Sequence, residues 1–85
     1  MDIIIYTIVA CPWCDKLRDW LKKKNLAFKE FDLKESPSAR DDMLEKSNQL
    51  ATPVTDIDGE IIVGFDVEHL EIAIEKAKAK EFIQQ

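Results

Sequence analysis

Apolar residues in this chain alternate between a strand-like and a helix-like period. Residues 3–8 (Ile-Ile-Ile-Tyr-Thr-Ile) form a nearly unbroken apolar run rich in β-branched side chains, the pattern of a central strand covered on both faces. From Pro12 the period changes. Cys14, Leu17 and Leu21 recur at helical spacing with Trp20 beside them, while Asp15, Lys16, Arg18, Asp19, Lys22 and Lys23 take the other side, which predicts an amphipathic helix. Pro12 suits a helix start through its fixed φ and missing N–H, and Asn25 suits the left-handed residue that ends one. Over 26–33, Leu26, Phe28, Phe31 and Leu33 are interleaved with Lys29, Glu30 and Asp32, a second strand of weaker alternation. A strand, a helix and a strand within about thirty residues predict a right-handed βαβ unit with parallel strands.

Ser36-Pro37-Ser38 opens a second helix. Either serine can cap it, the proline fits the first turn, and Asp41 and Asp42 are expected near the positive end of its dipole. This helix should run to Ser47 or Asn48. Two short apolar runs, 54–57 and 60–63, flank Asp58-Gly59, a strong hairpin signal that predicts antiparallel strands. Gly64-Phe65 bends the chain, and Asp66 can cap a last helix carrying Val67, Leu70, Ile74 and Ala77 on its inner face; residues 81–85 are expected to fray. The order βαβαββα predicts an α/β fold, a mixed four-stranded sheet with helices on both faces, as one domain over residues 1–85 without repeats or linkers.

Composition narrows the function. With 85 residues, 46% apolar and 34% charged, the chain has the make-up of a globular domain that buries a little over ~60% of its unfolded surface. A formal net charge of −5 argues against nucleic acid or an anionic membrane as partner, since phosphate neutralisation needs a basic surface. Lys22-Lys23-Lys24 is then a solvated helix face. The N-terminus lacks a positive n-region and a small-residue cleavage site, and no apolar stretch approaches the ~18 residues that span a bilayer. A cytoplasmic, reducing setting is expected, where a cysteine pair is catalytic or metal-binding rather than a structural staple.

The two cysteines form Cys11-Pro12-Trp13-Cys14 at the junction of the first strand and first helix. Free N–H groups and the positive dipole end there favour a thiolate at Cys11. An ordinary thiol is only about 3% ionised at pH 7, so any downward shift increases the attacking species; Asp15 opposes the shift, and Lys16 and Arg18 partly offset Asp15. Cys14 shares a helical face with Leu17 and Leu21, so it should point inward while Cys11 stays accessible. The roles divide accordingly: Cys11 attacks a substrate disulfide, and Cys14 resolves the mixed disulfide. Zinc needs about four ligands, and beyond the pair the chain offers a single distant histidine, His69. Metal is therefore the rival reading, as a centre shared between two copies of the chain. Trp13 is expected at an exposed first turn as a flat apolar contact for substrate. Tyr6 and Trp20 are read as core, and His69 as a surface residue.

Together, Tyr6-Thr7, Cys11-Pro12-Trp13-Cys14, Thr52-Pro53-Val54 and Gly64-Phe65-Asp66, in this order and on this element pattern, resemble the glutaredoxins and small glutaredoxin-like proteins of the thioredoxin fold. The resemblance implies a thiol–disulfide oxidoreductase acting without a tightly bound cofactor and as a monomer. It implies a cis Thr52-Pro53 bond, with Thr52 pairing its backbone to an extended substrate, and a substrate-facing surface of Pro12, Trp13, Thr52, Pro53, Gly64, Phe65 and Asp66. Disulfide-containing proteins are the implied substrates, recharged by glutathione as co-substrate or by thioredoxin reductase. Two positions depart from the glutathione-binding pattern: Ile8 stands where the family commonly has a lysine, and Val67 where it has the second of two acids. Each loss could weaken glutathione binding by around 1 kcal/mol or more. Gly64-Phe65 resembles the Ser-Gly-Phe segment of the glutaredoxin-like electron donors to ribonucleotide reductase, and the Val-Gly-Phe-Asp run is similar to bacterial and archaeal glutaredoxin-like proteins. The balance leans towards thioredoxin reductase as the source of electrons.

Overall fold

The computed structural model describes residues 1–83. Seven elements follow in the order β1 (Ile3–Thr7), α1 (Pro12–Lys23), β2 (Lys29–Asp32), α2 (Pro37–Ser47), β3 (Val54–Ile57), β4 (Glu60–Val63) and α3 (Val67–Ile83). The four strands make one mixed sheet in the order β2-β1-β3-β4. β1 runs parallel to β2 with Tyr6 opposite Phe31 and antiparallel to β3 with Ile5 opposite Thr55. The hairpin β3–β4 turns through Asp58 and Gly59, both at positive φ (49° and 93°), which is why a two-residue Asp-Gly link closes it.

Alternation along the central strands divides the core into two layers. Ile3 and Ile5 of β1 meet Leu17 and Leu21 of α1 and Leu70 and Ile74 of α3 on one face. Tyr6 and Val54 meet Ala39 and Met43 of α2 on the other. Ile5, Leu17, Leu21 and Leu70 are fully buried, each contributing about 1.5–3 kcal/mol. These faces hold α1 against the sheet and fix where its N-terminus, with the cysteines, emerges.

Several boundaries differ from the sequence-based expectation. The first strand stops at Thr7, not Ile8: Ile8 and Val9 are exposed, and Ala10 turns at φ 56° to bring the chain round into α1. The second strand shrinks from 26–33 to Lys29–Asp32, because the Leu26 amide still closes the end of α1 by bonding to the Leu21 carbonyl. Leu26 and Phe28 nevertheless pack on the core. Asn25 and Asn48 both take the left-handed conformation (φ 58° and 57°) just past α1 and α2. Ser36 occupies the N-cap of α2 without a side-chain cap bond, its hydroxyl lying 3.4 Å from that of Ser38, and the first turn holds no acid, so Asp41 and Asp42 sit beyond it. Helix α3 continues past residue 81 to Ile83, tied by an ion pair between the Met1 amino group and Glu81. Residues 84–85, also expected to fray, lie outside the described residues.

Candidate functional site

The end of β1 and the start of α1 bring the two cysteines together. Cys11 is the N-cap of α1, extended at φ −113° and ψ 103°, and Pro12 occupies the first turn. The Asp15 amide bonds to the Cys11 carbonyl (3.1 Å), beginning the helix, and the Cys14 amide donates to the Cys11 Sγ at 3.2 Å. Cys11 and Cys14 are joined as a disulfide with their Cα atoms 5.2 Å apart. When that bond is reduced, the same helix-start amide and the dipole end meet the Cys11 sulfur, an arrangement that favours its thiolate.

The two sulfurs are unequal in the expected order. Cys14 is fully buried beside Leu17, while Cys11 keeps 9% of its surface. Cys11 is thus more covered than a helix-edge position suggests. What stands open beside it is Trp13, 55% exposed. Its ring lies 6.5 Å from that of Phe65, and Phe65 in turn meets the edge of Trp20 at 6.4 Å. Trp20, expected in the core, is therefore half-buried, a support under Phe65; Tyr6 is buried. A shallow groove of about 240 Å³ runs between Trp13, Thr52, Pro53, Gly64 and Phe65. Residues from three separate stretches of the chain thereby share one wall.

The Thr52-Pro53 peptide is cis, as the family resemblance implies. The Gly64 amide donates to the Pro53 carbonyl at 2.7 Å, with Gly64 at φ 82°, so the start of β3 and the end of β4 are stitched together beneath the groove. Asp66 is placed differently from the other expected substrate contacts. Its Oδ1 accepts the His69 amide (3.2 Å) and its Oδ2 lies 2.5 Å from His69 Nδ1, capping α3 as its position suggests. These bonds hold its carboxyl below the usual range, the His69 amide being the first cause. Asp66 lines a second groove, between β4 and α3, with Glu60, His69 and Lys76. His69 is a surface residue, as expected, and is occupied with Asp66.

One polar cluster beneath the site has no local signal in the sequence. Thr7, fully buried, donates its hydroxyl to Glu30 at 2.7 Å. Arg18 of α1 grips the same carboxylate (2.7 Å from Nη2 to Oε2) and also pairs with Asp15. The Arg18 bond is the main reason the Glu30 carboxyl is held low, and Glu30 is likewise the main reason the Arg18 guanidinium is held high. The only hint is that Glu30 and Arg18 face each other once β2 is laid beside β1 under α1. Among the described residues, no group of three or more His, Cys, Asp and Glu side chains is placed to hold a metal ion, and no helix is long and apolar enough to cross a membrane.

Comparison with known proteins agrees with this geometry. A family model described as Glutaredoxin matches residues 3–62. An uncharacterised glutaredoxin-like 8.6 kDa protein of the rubredoxin operon of Clostridium pasteurianum is 40% identical over 74 residues, covering 87% of this chain and 99% of its own. Glutaredoxin 3 of Escherichia coli K12 is 29% identical over 65 residues, covering 76% and 78%. Among solved structures, the thioredoxin-like protein BC3987 superposes with a TM-score of 0.80 at 38% identity, over 85% of this chain and 99% of that one. A glutaredoxin from Archaeoglobus fulgidus reaches 0.79 at 18% identity over 86% and 85%, a likeness of fold.

Proposed function

Because the chain belongs to the glutaredoxin family of thiol–disulfide oxidoreductases, we propose that it is a dithiol electron carrier that reduces disulfides in proteins through Cys11 and Cys14. The observation that carries this reading is the Cys11–Cys14 disulfide at the start of α1, with the Cys14 amide on the Cys11 sulfur and the cis Thr52-Pro53 loop in the groove beside Trp13. The reduced Cys11 thiolate attacks one sulfur of the substrate disulfide and expels the other as a thiolate, which takes up a proton. Cys14, one helical turn away and shielded from solvent, loses its proton and attacks the Cys11 sulfur. The substrate leaves with both sulfurs reduced, and the pair of electrons has come from the dithiol. Thr52 offers its backbone to the extended substrate, as in strand addition, and Pro12, Trp13, Pro53, Gly64 and Phe65 form the wall it lies on. Asp66, engaged by His69, contributes through the turn that places Phe65.

No tightly bound cofactor enters this cycle. A reductase of the thioredoxin-reductase type, in a reducing compartment, is the electron source favoured here, because Ile8 and Val67 replace the charged partners that would hold glutathione; residues 1–85 act as one monomeric unit. The test is to supply a protein disulfide with either NADPH and thioredoxin reductase or glutathione and its reductase. Faster turnover with the first is expected, and turnover with glutathione alone would overturn the assignment of donor. Cys11→Ser should abolish activity, while Cys14→Ser should accumulate a mixed disulfide visible as a mass increase on the intact protein. An active Cys11→Ser variant would overturn the mechanism. Visible absorbance with stoichiometric iron or zinc after anaerobic purification would instead favour a metal carrier assembled by two copies through the same cysteines.

A further inference from the structure

The charges around the cysteines are unevenly paired. Asp15 is taken by Arg18, which is itself taken by Glu30. Asp66, next to Phe65 of the groove, is taken by His69. Glu68, the remaining acid at the start of α3, faces outward into a depression with Glu71 and Lys76. Lys16 differs: its ammonium stands 4.3 Å over the Trp13 ring, and among the described residues no carboxylate pairs with it. A cation over an aromatic face is held in place without being neutralised. Beside the groove, over Trp13, there is therefore an ammonium that no ion pair holds among the described residues, on a chain whose net charge is −5. At physiological ionic strength the distant acids are screened beyond roughly 8 Å, so a peptide in the groove responds to Lys16 more than to the total.

We propose that Lys16, fixed over Trp13, is a specificity-determining residue that makes this site select disulfides whose cysteine is flanked by an acidic residue. The inference rests on the dithiol reading above and adds the chemical class of the preferred protein substrate. An acidic side chain beside the attacked cysteine would meet the Lys16 ammonium as the substrate backbone lies along Thr52; a basic one would meet the same ammonium as a like charge. Asp15 and Asp66 are already engaged within the protein, the first by Arg18 and the second by the amide and ring of His69.

The experiment uses the full chain, reduced beforehand and freed of reductant, in single-turnover mixing. The probes are three synthetic peptides, each with one cysteine in a mixed disulfide with 2-mercaptoethanol, that differ only in Glu, Gln or Lys beside that cysteine. Each turnover oxidises the Cys11–Cys14 dithiol to the disulfide and releases peptide thiol and 2-mercaptoethanol. The Glu peptide is expected to react about fivefold faster than the Lys peptide, the scale of one exposed ion pair, with the preference collapsing at high salt. Lys16→Glu should invert the order, and Lys16→Arg should keep it. Equal rates for the three peptides, or an order unchanged by Lys16→Glu, would overturn the specificity while leaving the oxidoreductase reading in place. Failure of the reduced protein to react with any of the three would overturn both.

Discussion

The amide of Gly64 donates a 2.7 Å hydrogen bond to the carbonyl of Pro53, joining the residue after β4 to the residue before β3 directly under the groove. Gly64 makes that bond at φ 82°, a conformation that side-chain-bearing residues avoid. Nothing lies within 4 Å of where a Cβ would stand, so the cost of adding one is conformational rather than steric. Gly64→Ala should destabilise the fold by about 1–2 kcal/mol and displace Phe65 from Trp13. Urea unfolding gives the first quantity, and a changed Trp fluorescence of the folded protein the second. Unaltered stability would mean that the turn relaxes freely.

The Trp13–Phe65 contact, 6.5 Å between ring centres, forms the open wall of the groove. Phe65→Ala should raise KM for a protein disulfide by roughly 2- to 10-fold, the equivalent of about 0.5–1.5 kcal/mol for an aromatic contact. A small symmetric disulfide that does not fill the groove should be reduced with little change in KM. Equal losses on both substrates would point to a general disturbance of α1.

Glu30 couples the fold to pH. Its carboxyl is held low, chiefly by the Arg18 hydrogen bond and further by the Thr7 hydroxyl. A depressed folded pKa stabilises the protein above the unfolded value, near ~4.3, and that contribution is lost as pH falls through the lower folded value. The side chain is about one-third exposed (30%), so the contribution should stay within about 1 kcal/mol. Glu30→Gln should flatten the fall in stability below pH ~4.3, measured as urea midpoints across pH. A slope identical to that of the parent chain would exclude Glu30 as its source.

On the opposite face of the sheet, Lys46 of α2 donates to Asp56 (2.7 Å) and to the Tyr6 hydroxyl (2.9 Å). Asp56 holds the Lys46 ammonium well above its ordinary range. Asp56 is buried, and its other oxygen accepts the Gly59 amide in the hairpin turn. Lys46→Met leaves an acid and a phenol short of a partner and should cost about 1–3 kcal/mol. Adding Asp56→Asn should recover part of that loss, because the orphaned charge is then removed. Thermal unfolding of the two variants together measures the coupling.

The periodic elements are legible in the amino-acid sequence by itself. Helix α1 follows from Cys14, Leu17 and Leu21 on one face, and the hairpin from Asp58-Gly59 between two apolar runs, because side-chain period and turn geometry are local properties of the chain. The cysteine pair at a strand-to-helix junction is legible for the same reason, and the motifs around Thr52-Pro53 and Gly64-Phe65 place the chain in its family. Boundaries are less so: Ile8 reads as strand by composition, yet it lies where the backbone must already turn towards Cys11.

Tertiary structure decided which distant residues share a surface. The sheet order β2-β1-β3-β4 brings Pro53 against Gly64 and sets Asp56 beneath Lys46, relationships that depend on strand neighbours and leave no periodic trace. It lays Glu30 within reach of both Thr7 and Arg18. It also determined the pairing of charges, leaving Asp15 and Asp66 occupied and Lys16 over Trp13. A sequence presents every charge at equal weight. Only approach to within about 4 Å determines which of them are cancelled and which remain for a partner to meet.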